Sequence, residues 1–447
     1  MHIDFFIERF KKHADNEAMI WRDKVYTYGN LLNYIERDLA LLKEKISAPT
    51  VVSLEADFSP QAAALMLCLI ELGCVVVPLT ESVAHKKDEF KRIAEVEMSI
   101  TVDPRGDSFS VDKTNIVANH EMLMQLKQAS KPGLILFSSG STGKSKAAVH
   151  SFLPLLEKFK VERKCMRMLT FLLFDHIGGI NTLLYVLSNV GCIVTLQSRQ
   201  PEEVCRVIEK YKVEVLPTSP TFINLLLLSE AYKNYDLSSL KMVTYGTEAM
   251  PESTLKHFHE EFPTIKLLQT YGLSEIGIMR SKSKASDSLW VKIGGEDFQT
   301  RVVDGLLEIK AKSAMLGYLN APSPFTPDGW FKTGDAVLVD GEYMRILGRK
   351  SEMINVGGQK VFPAEVENVI QQMEGVEEVA VTGERNMLTG QIVCAKVKLS
   401  TDESPAAFKI RMKTFCKGKL ENFKVPQKVS IVDHNMHGDR FKKLRLD

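Results

Sequence analysis

The sequence predicts an α/β protein: a large N-terminal domain of parallel-rich sheets with flanking helices, followed by a small α+β domain. Three observations carry this. Helical and short apolar segments alternate early in the chain. Leu31 to Leu42 is apolar at helical spacing after Thr27-Tyr28-Gly29, and the helix Ala62–Leu72 is followed by Gly73–Leu79, which reads as a buried strand. Such alternation gives a parallel sheet covered by helices. At 447 residues the chain is too long for one ordinary core. Late in the chain, Val379–Val381 and Ile392–Val397 read as strands beside a helix opening at Pro363-Ala364-Glu365-Val366-Glu367. Proline is tolerated in a first turn and acids suit the positive end of the dipole, so Glu365 and Glu367 read as helix-starting acids.

Composition excludes several classes. The chain is 45% hydrophobic and 25% charged, which is ordinary globular usage. A formal charge of +1 gives no reason to expect nucleic acid or an anionic membrane as partner. The seven cysteines form no C-x-x-C pair and several sit in apolar runs, which suits a reducing, cytoplasmic location. The N-terminal stretch carries acids among its apolar residues, so it reads as an amphipathic helix rather than a signal peptide. Ala62–Ile70 is too short to span a bilayer, and no transmembrane segment is expected.

The most informative stretch is Phe137-Ser138-Ser139-Gly140-Ser141-Thr142-Gly143-Lys144-Ser145-Lys146, after the apolar run Gly133–Phe137 that reads as a buried strand. Its glycines allow positive φ and close approach, successive N–H groups can form a concave anion site, and the lysines add charge. The reading is a loop that wraps a polyphosphate; a solvated Ser/Gly surface loop is the plain alternative. A P-loop needs a glycine five residues before Gly143-Lys144, and Ser138 stands there.

This stretch resembles the phosphate loop of the adenylate-forming superfamily: acyl-CoA synthetases, aryl-acid ligases, peptide-synthetase adenylation domains and luciferases. Phe137 to Gly143 and Lys146 match; Ser145 and Ala147 replace the usual proline and glycine. Further matches follow in order. Tyr245-Gly246-Thr247-Glu248 lies past a predicted strand, Met242–Thr244, where ligands bind in open α/β sheets, although it also reads as an ordinary strand–helix loop. Tyr271-Gly272-Leu273-Ser274-Glu275 and Thr333-Gly334-Asp335 are the two strongest. The resemblance implies that Gly246, Thr247 and Glu248 line the adenine and acyl pockets, and that Tyr271 offers a ring for adenine beside Gly272 and Ser274. It implies Mg²⁺ on Glu275 and Thr142, and ribose on Asp335, an acceptor-only group, and on Arg349. His176, in Asp175-His176-Ile177-Gly178-Gly179, falls where an aromatic or histidine borders the carboxylate site. Phe174-Asp175 imitates the pair that holds a substrate ammonium in amino-acid-activating relatives, whereas His-Ile-Gly-Gly resembles the acyl-acid branch; the reading leans to an acid without a free α-amine.

The resemblance also divides the chain at Gly348-Arg349, giving a large domain of residues 1–348 and a small mobile domain of residues 349–447. Ser351 and Asn355 depart from the usual hinge residue and lysine, and the turn Gly357-Gly358 would face the thiol nucleophile. In the tail, Phe441-Lys442-Lys443-Leu444-Arg445 keeps the family's Lys-to-Arg spacing with Phe441 in place of glycine. Lys442 is the expected catalytic lysine and Lys443 its rival. The implied reaction is ATP-dependent conversion of a small carboxylic acid to an acyl-adenylate with loss of pyrophosphate, then transfer to a thiol, CoA or a carrier protein. A non-catalytic nucleotide-binding relative is the alternative from another class.

Overall fold

The computed structural model describes residues 2–46, 48–106, 108–139, 144–295, 297–438 and 440–445. Two seven-stranded sheets form the bulk of the chain. In the first, Lys266–Gln269, Met242–Tyr245, Val215–Thr218, Arg167–Leu169, Cys192–Val194 and Glu17–Trp21 run parallel, and Lys24–Thr27 closes one edge antiparallel. In the second, Gly133–Ser139, Val75–Leu79, Val51–Glu55 and Met98–Val102 run parallel between antiparallel edges. The predicted alternation is thus the observed one.

The helix Pro60–Glu71 shows how local chemistry and packing agree. Ser59 accepts a hydrogen bond from the Ala62 N–H at 3.1 Å, and Pro60 occupies the first turn. Every residue from Pro60 to Ile70 is buried, as expected of a helix apolar all round. Ala62–Ile70 belong to one core with Val52, Leu54 and Val76 of the second sheet, and with Met19, Ile193 and Val215 of the first. This helix therefore joins the two sheets into one body. Among the described residues no helix is long and apolar enough to cross a membrane.

The apolar run Met168–Phe174 is strand only through Leu169. Its neighbour Cys192–Val194 is equally short, so the chain leaves the sheet early. The loop stays apolar because it is still buried: Phe171 packs on Phe222 and Phe174 on Phe58, with ring centroids 4.4 and 5.2 Å apart. The following helix, Ile177–Ser188, begins tight against this loop. A Cβ on Gly179 would lie 1.9 Å from the Leu173 carbonyl oxygen. Backbone on both sides leaves no flexible group to yield, so Gly179→Ala is expected to cost about 1–3 kcal/mol by overpacking. Thermal denaturation measures it; an unchanged melting temperature contradicts this packing.

A third, six-stranded antiparallel sheet contains Phe331–Asp340 and Tyr343–Arg349. The chain leaves it at Arg349, makes one 3-10 turn over Lys350–Glu352, and enters a five-stranded sheet at Ile354. That last sheet pairs Val376–Asn386 with Gly390–Leu399 and carries two helices, Pro363–Ile370 and Pro405–Cys416, in a core of its own.

Candidate active site

The described ends of the stretch Phe137–Lys146 belong to the two strands of a hairpin. Gly133–Ser139 pairs antiparallel with Ser145–Ser151, and Ser138 faces Lys146 in register. Gly140, Ser141, Thr142 and Gly143 lie outside the described residues, and so does the side chain of Ser139. Asn320 fixes the hairpin's exit, accepting from the Ala147 N–H at 3.0 Å and donating to the Ser145 carbonyl at 2.9 Å. Ser138 and Lys146 line a cavity of about 510 Å³ together with His176, Ser274, Glu275 and Lys442. The Lys146 ammonium lies 5.4 Å from the Tyr318 ring centroid, and the Tyr318 hydroxyl donates to Glu275 Oε1 at 2.7 Å. Beneath this edge the buried His150 donates from Nε2 to the Ser274 carbonyl at 2.5 Å, and the Glu275 carbonyl accepts from the Met315 N–H at 2.7 Å. The turn that presents Glu275 is therefore held from both sides. Sequence reasoning missed His150, whose local signal was only an apolar strand ending in histidine.

His176 caps the helix Ile177–Ser188. Its Nδ1 accepts from the Gly178 N–H at 3.1 Å, which places its proton on Nε2. Burial, then the nearby Arg440 and Lys442, push its pKa down to about 3, so the ring is neutral and can serve as a hydrogen-bond donor. Asp175 does not line this cavity. Its Oδ2 accepts from the Thr80 hydroxyl at 3.0 Å and pairs with Arg440 at 3.5 Å, while Oδ1 is buried with no hydrogen-bond partner among the described residues.

A second, smaller cavity of about 80 Å³ adjoins the first; Thr247, Gly272, Leu273, Arg349 and Lys442 line both. Gly246, Glu248, Tyr271 and Asp335 line this one. The Tyr271 hydroxyl donates to Asp335, whose other oxygen pairs with Arg349 Nε at 3.4 Å. Burial raises the Asp335 pKa against the pull of Arg349 and Tyr271. Thr247 has φ +72°, a strained value for a β-branched residue, at the junction of the two cavities. Glu248 also supports the fold. It accepts from the Thr221 N–H at 2.8 Å and from the Lys443 N–H at 3.1 Å, tying the C-terminal tail to the large sheet.

The tail brings Lys442 into both cavities. Among the described residues its ammonium makes no hydrogen bond, and burial and Arg349 lower its pKa. Lys443 points elsewhere, 3.3 Å from Glu367. Glu367 is therefore more than a helix-starting acid: it is 3% exposed, and it also accepts from the Val381 N–H and from Arg445, each at 2.9 Å. Phe441 has φ +47°, the left-handed region in which glycine is at ease. Its ring compensates by inserting 5.1 Å from Phe171 and 5.7 Å from Phe222, with the Arg199 guanidinium 5.2 Å above it. The turn Gly357-Gly358 lines neither cavity in this arrangement.

Residues 6–304 match the model of the AMP-binding enzyme family, and residues 365–437 match that of the AMP-binding enzyme C-terminal domain. Among curated relatives, an indoleacetate–CoA ligase of Aromatoleum aromaticum is 26% identical, over 95% of this chain and 94% of that one. A 2-succinylbenzoate–CoA ligase of Enterococcus faecalis is 24% identical, over 94% and 93%. Among solved structures, an anthranilate CoA ligase in complex with anthranoyl-AMP superposes with a TM-score of 0.82 at 19% identity, covering 99% of this chain and 95% of that one. The chain belongs to the AMP-binding enzyme family, the adenylate-forming, acyl-CoA synthetase-like ligases, and it carries that family's C-terminal domain as well.

Proposed function

We propose that this AMP-forming acid–thiol ligase holds the triphosphate and the reacting carboxylate of its substrates in the 510 Å³ cavity and adenosine in the smaller one. The observation that carries this reading is the convergence of Lys146, Glu275, His176 and Lys442 on one cavity that shares its wall with Tyr271, Asp335 and Arg349. Lys146 and the Ser/Thr/Gly loop bind the β- and γ-phosphates. Asp335 and Arg349 hold the ribose, and the Tyr271 ring supports the base. Glu275 fits Mg²⁺: one of its oxygens is taken by Tyr318, the other has no hydrogen-bond partner among the described residues, and a hard cation needs only one or two protein carboxylates beside phosphate oxygens. Held by Glu275 and Thr142, the ion would offset phosphate charge.

The carboxylate attacks the α-phosphorus, the bond to pyrophosphate breaks, and an acyl-adenylate forms. The protein contributes alignment and fixed charge. Neutral His176 donates from Nε2 to a carboxylate oxygen, which orients the acid without trapping it in an ion pair. Lys442 neutralises charge growing on the transferring phosphoryl. Residues 1–348 act as the large domain. Residues 349–447 act as a mobile one that withdraws Lys442 after adenylation, pivoting at Arg349–Ser351 as other closing domains do. A thiol, CoA, then attacks the activated carbonyl and AMP departs.

The test is acid-dependent ATP–pyrophosphate exchange over fatty, aromatic and amino acids, with the nucleotide product identified. AMP with thioester on CoA is the expected outcome. ADP release, or no exchange with any acid, overturns the reading, and acylation of a carrier protein in place of CoA corrects the acceptor.

A further inference from the structure

A third cavity, of about 450 Å³, adjoins the 510 Å³ one at Leu172, which lines both. One wall is the helix that His176 caps, through Gly178, Asn181, Thr182 and Tyr185. The facing wall comes from the parallel sheet, through Met168, Val215, Pro217, Met242 and Leu268. Such a lining suits the body of an organic acid whose carboxylate lies at His176. Four charged residues also line the cavity: Lys158, Arg163, Arg280 and Asp297. Lys158, on the loop after the helix Phe152–Glu157, reaches this cavity with its ammonium buried. It donates to Asn181 Oδ1 at 2.6 Å and to the Ile278 carbonyl at 3.0 Å and lies 5.0 Å from the Phe159 ring centroid; among the described residues its third N–H has no hydrogen-bond acceptor. Among the described residues no carboxylate lies within ion-pair distance of it. Asp297, also on the lining, is 2.8 Å from Lys312, and the other charged groups there, Arg163 and Arg280, are cations.

We infer that Lys158 is a specificity-determining residue, and that the acid activated here carries a second carboxylate that seats on it. The inference rests on the ligase reading above and adds the class of acid. A buried ammonium with only neutral acceptors is costly, and a bound carboxylate supplies the missing counter-charge through a short charge-assisted bond. Burial and Arg163 pull the Lys158 pKa down to about 7, so an incoming anion also restores its charge. The spacing fits. Asn181, which holds Lys158, lies five positions beyond the N-cap His176, about 7.5 Å further along the helix axis and about 140° round it, so the two groups are at least that rise apart. Two carboxylates separated by a six-carbon chain or an aromatic ring span such a distance.

The test compares matched acids by ATP–pyrophosphate exchange with the full chain: octanoate against octanedioate, and benzoate against terephthalate. The expected result is a kcat/KM at least tenfold higher for a diacid than for its monoacid partner. Lys158→Met should abolish or reverse that preference, raising the diacid KM while the KM for ATP and the melting temperature hold. Equal use of mono- and diacids by the wild type overturns the inference and leaves the ligase reading intact. So does a Lys158→Met variant that loses both acids in proportion, since that marks a structural strut. Absence of exchange with every acid overturns the ligase reading itself.

Discussion

Lys442→Ala is expected to lower acid-dependent ATP–pyrophosphate exchange by about 10²–10³-fold, the cost of removing one preorganised group that stabilises transition-state charge. The loss should fall on kcat with the KM for ATP little changed, because Lys442 is proposed to meet charge that develops only in the transition state. Stability should not fall. Among the described residues the ammonium makes no hydrogen bond, and its lowered pKa records that the folded protein disfavours its charge, with burial first and Arg349 second. For the same reason, exchange should decline at a lower pH than an ordinary lysine would dictate, as the group loses its proton. Thioester formation from a preformed acyl-adenylate should survive, since that step is proposed to follow withdrawal of the tail. Lys443→Ala is the comparison: it weakens the anchor on Glu367 outside both cavities, and should cost exchange far less than Lys442→Ala does. Exchange that is intact in Lys442→Ala and lost in Lys443→Ala would reverse the assignment.

Local rules made some of this architecture readable in advance. The run Gly133–Phe137 is apolar without alternation, as a strand covered on both faces must be, and it pairs parallel with Val75–Leu79. The helix Pro60–Glu71 is announced by its Ser-Pro start and ended by the positive-φ Gly73. The candidate-site motifs could be picked out because each is a short run of adjacent residues, although Thr333-Gly334-Asp335 lies within the strand Phe331–Asp340 and not in a loop. What escaped depends on partners far apart in the chain. Thr80 and Arg440 engage Asp175 from 95 and 265 positions away, and neither leaves a trace near Phe174-Asp175. Lys158 looks like any charged residue at a helix end until Asn181 and Ile278 enclose it. Phe441 looks like a broken glycine motif until Phe171 and Phe222 receive its ring. No periodicity encodes such meetings, because the sheet order that creates them is set by the whole core.

Glu367 offers the sharpest instance, and its substitution has the largest expected effect on stability. Its carboxylate is enclosed by Lys443, Arg445 and the Val381 N–H, while Arg445 also reaches Glu352 at 2.8 Å. Burial alone would raise its pKa, but Lys443 and Arg445 prevail and hold it at about 2. A folded-state value below the unfolded one means that the ionised form stabilises the fold above about pH 4.5, and that this contribution drains away as pH falls from there through about 2. Glu367→Gln keeps an acceptor for Val381 but leaves two half-buried cations facing a neutral amide, at an expected cost of about 3 kcal/mol, the low end for a broken buried pair. Acid titration of stability should then lack the wild-type component in that window. The same change should slow adenylation about tenfold or more, because Lys442 is held between the Phe441 ring and the Lys443–Arg445 anchor, and small misplacements of a reacting group are costly. In a Lys442→Ala background the slowing should vanish, since there is no longer a charge to misplace, whereas the loss of stability should persist. Equal slowing in both backgrounds would mean that Glu367 acts on adenylation by a route other than the lysine.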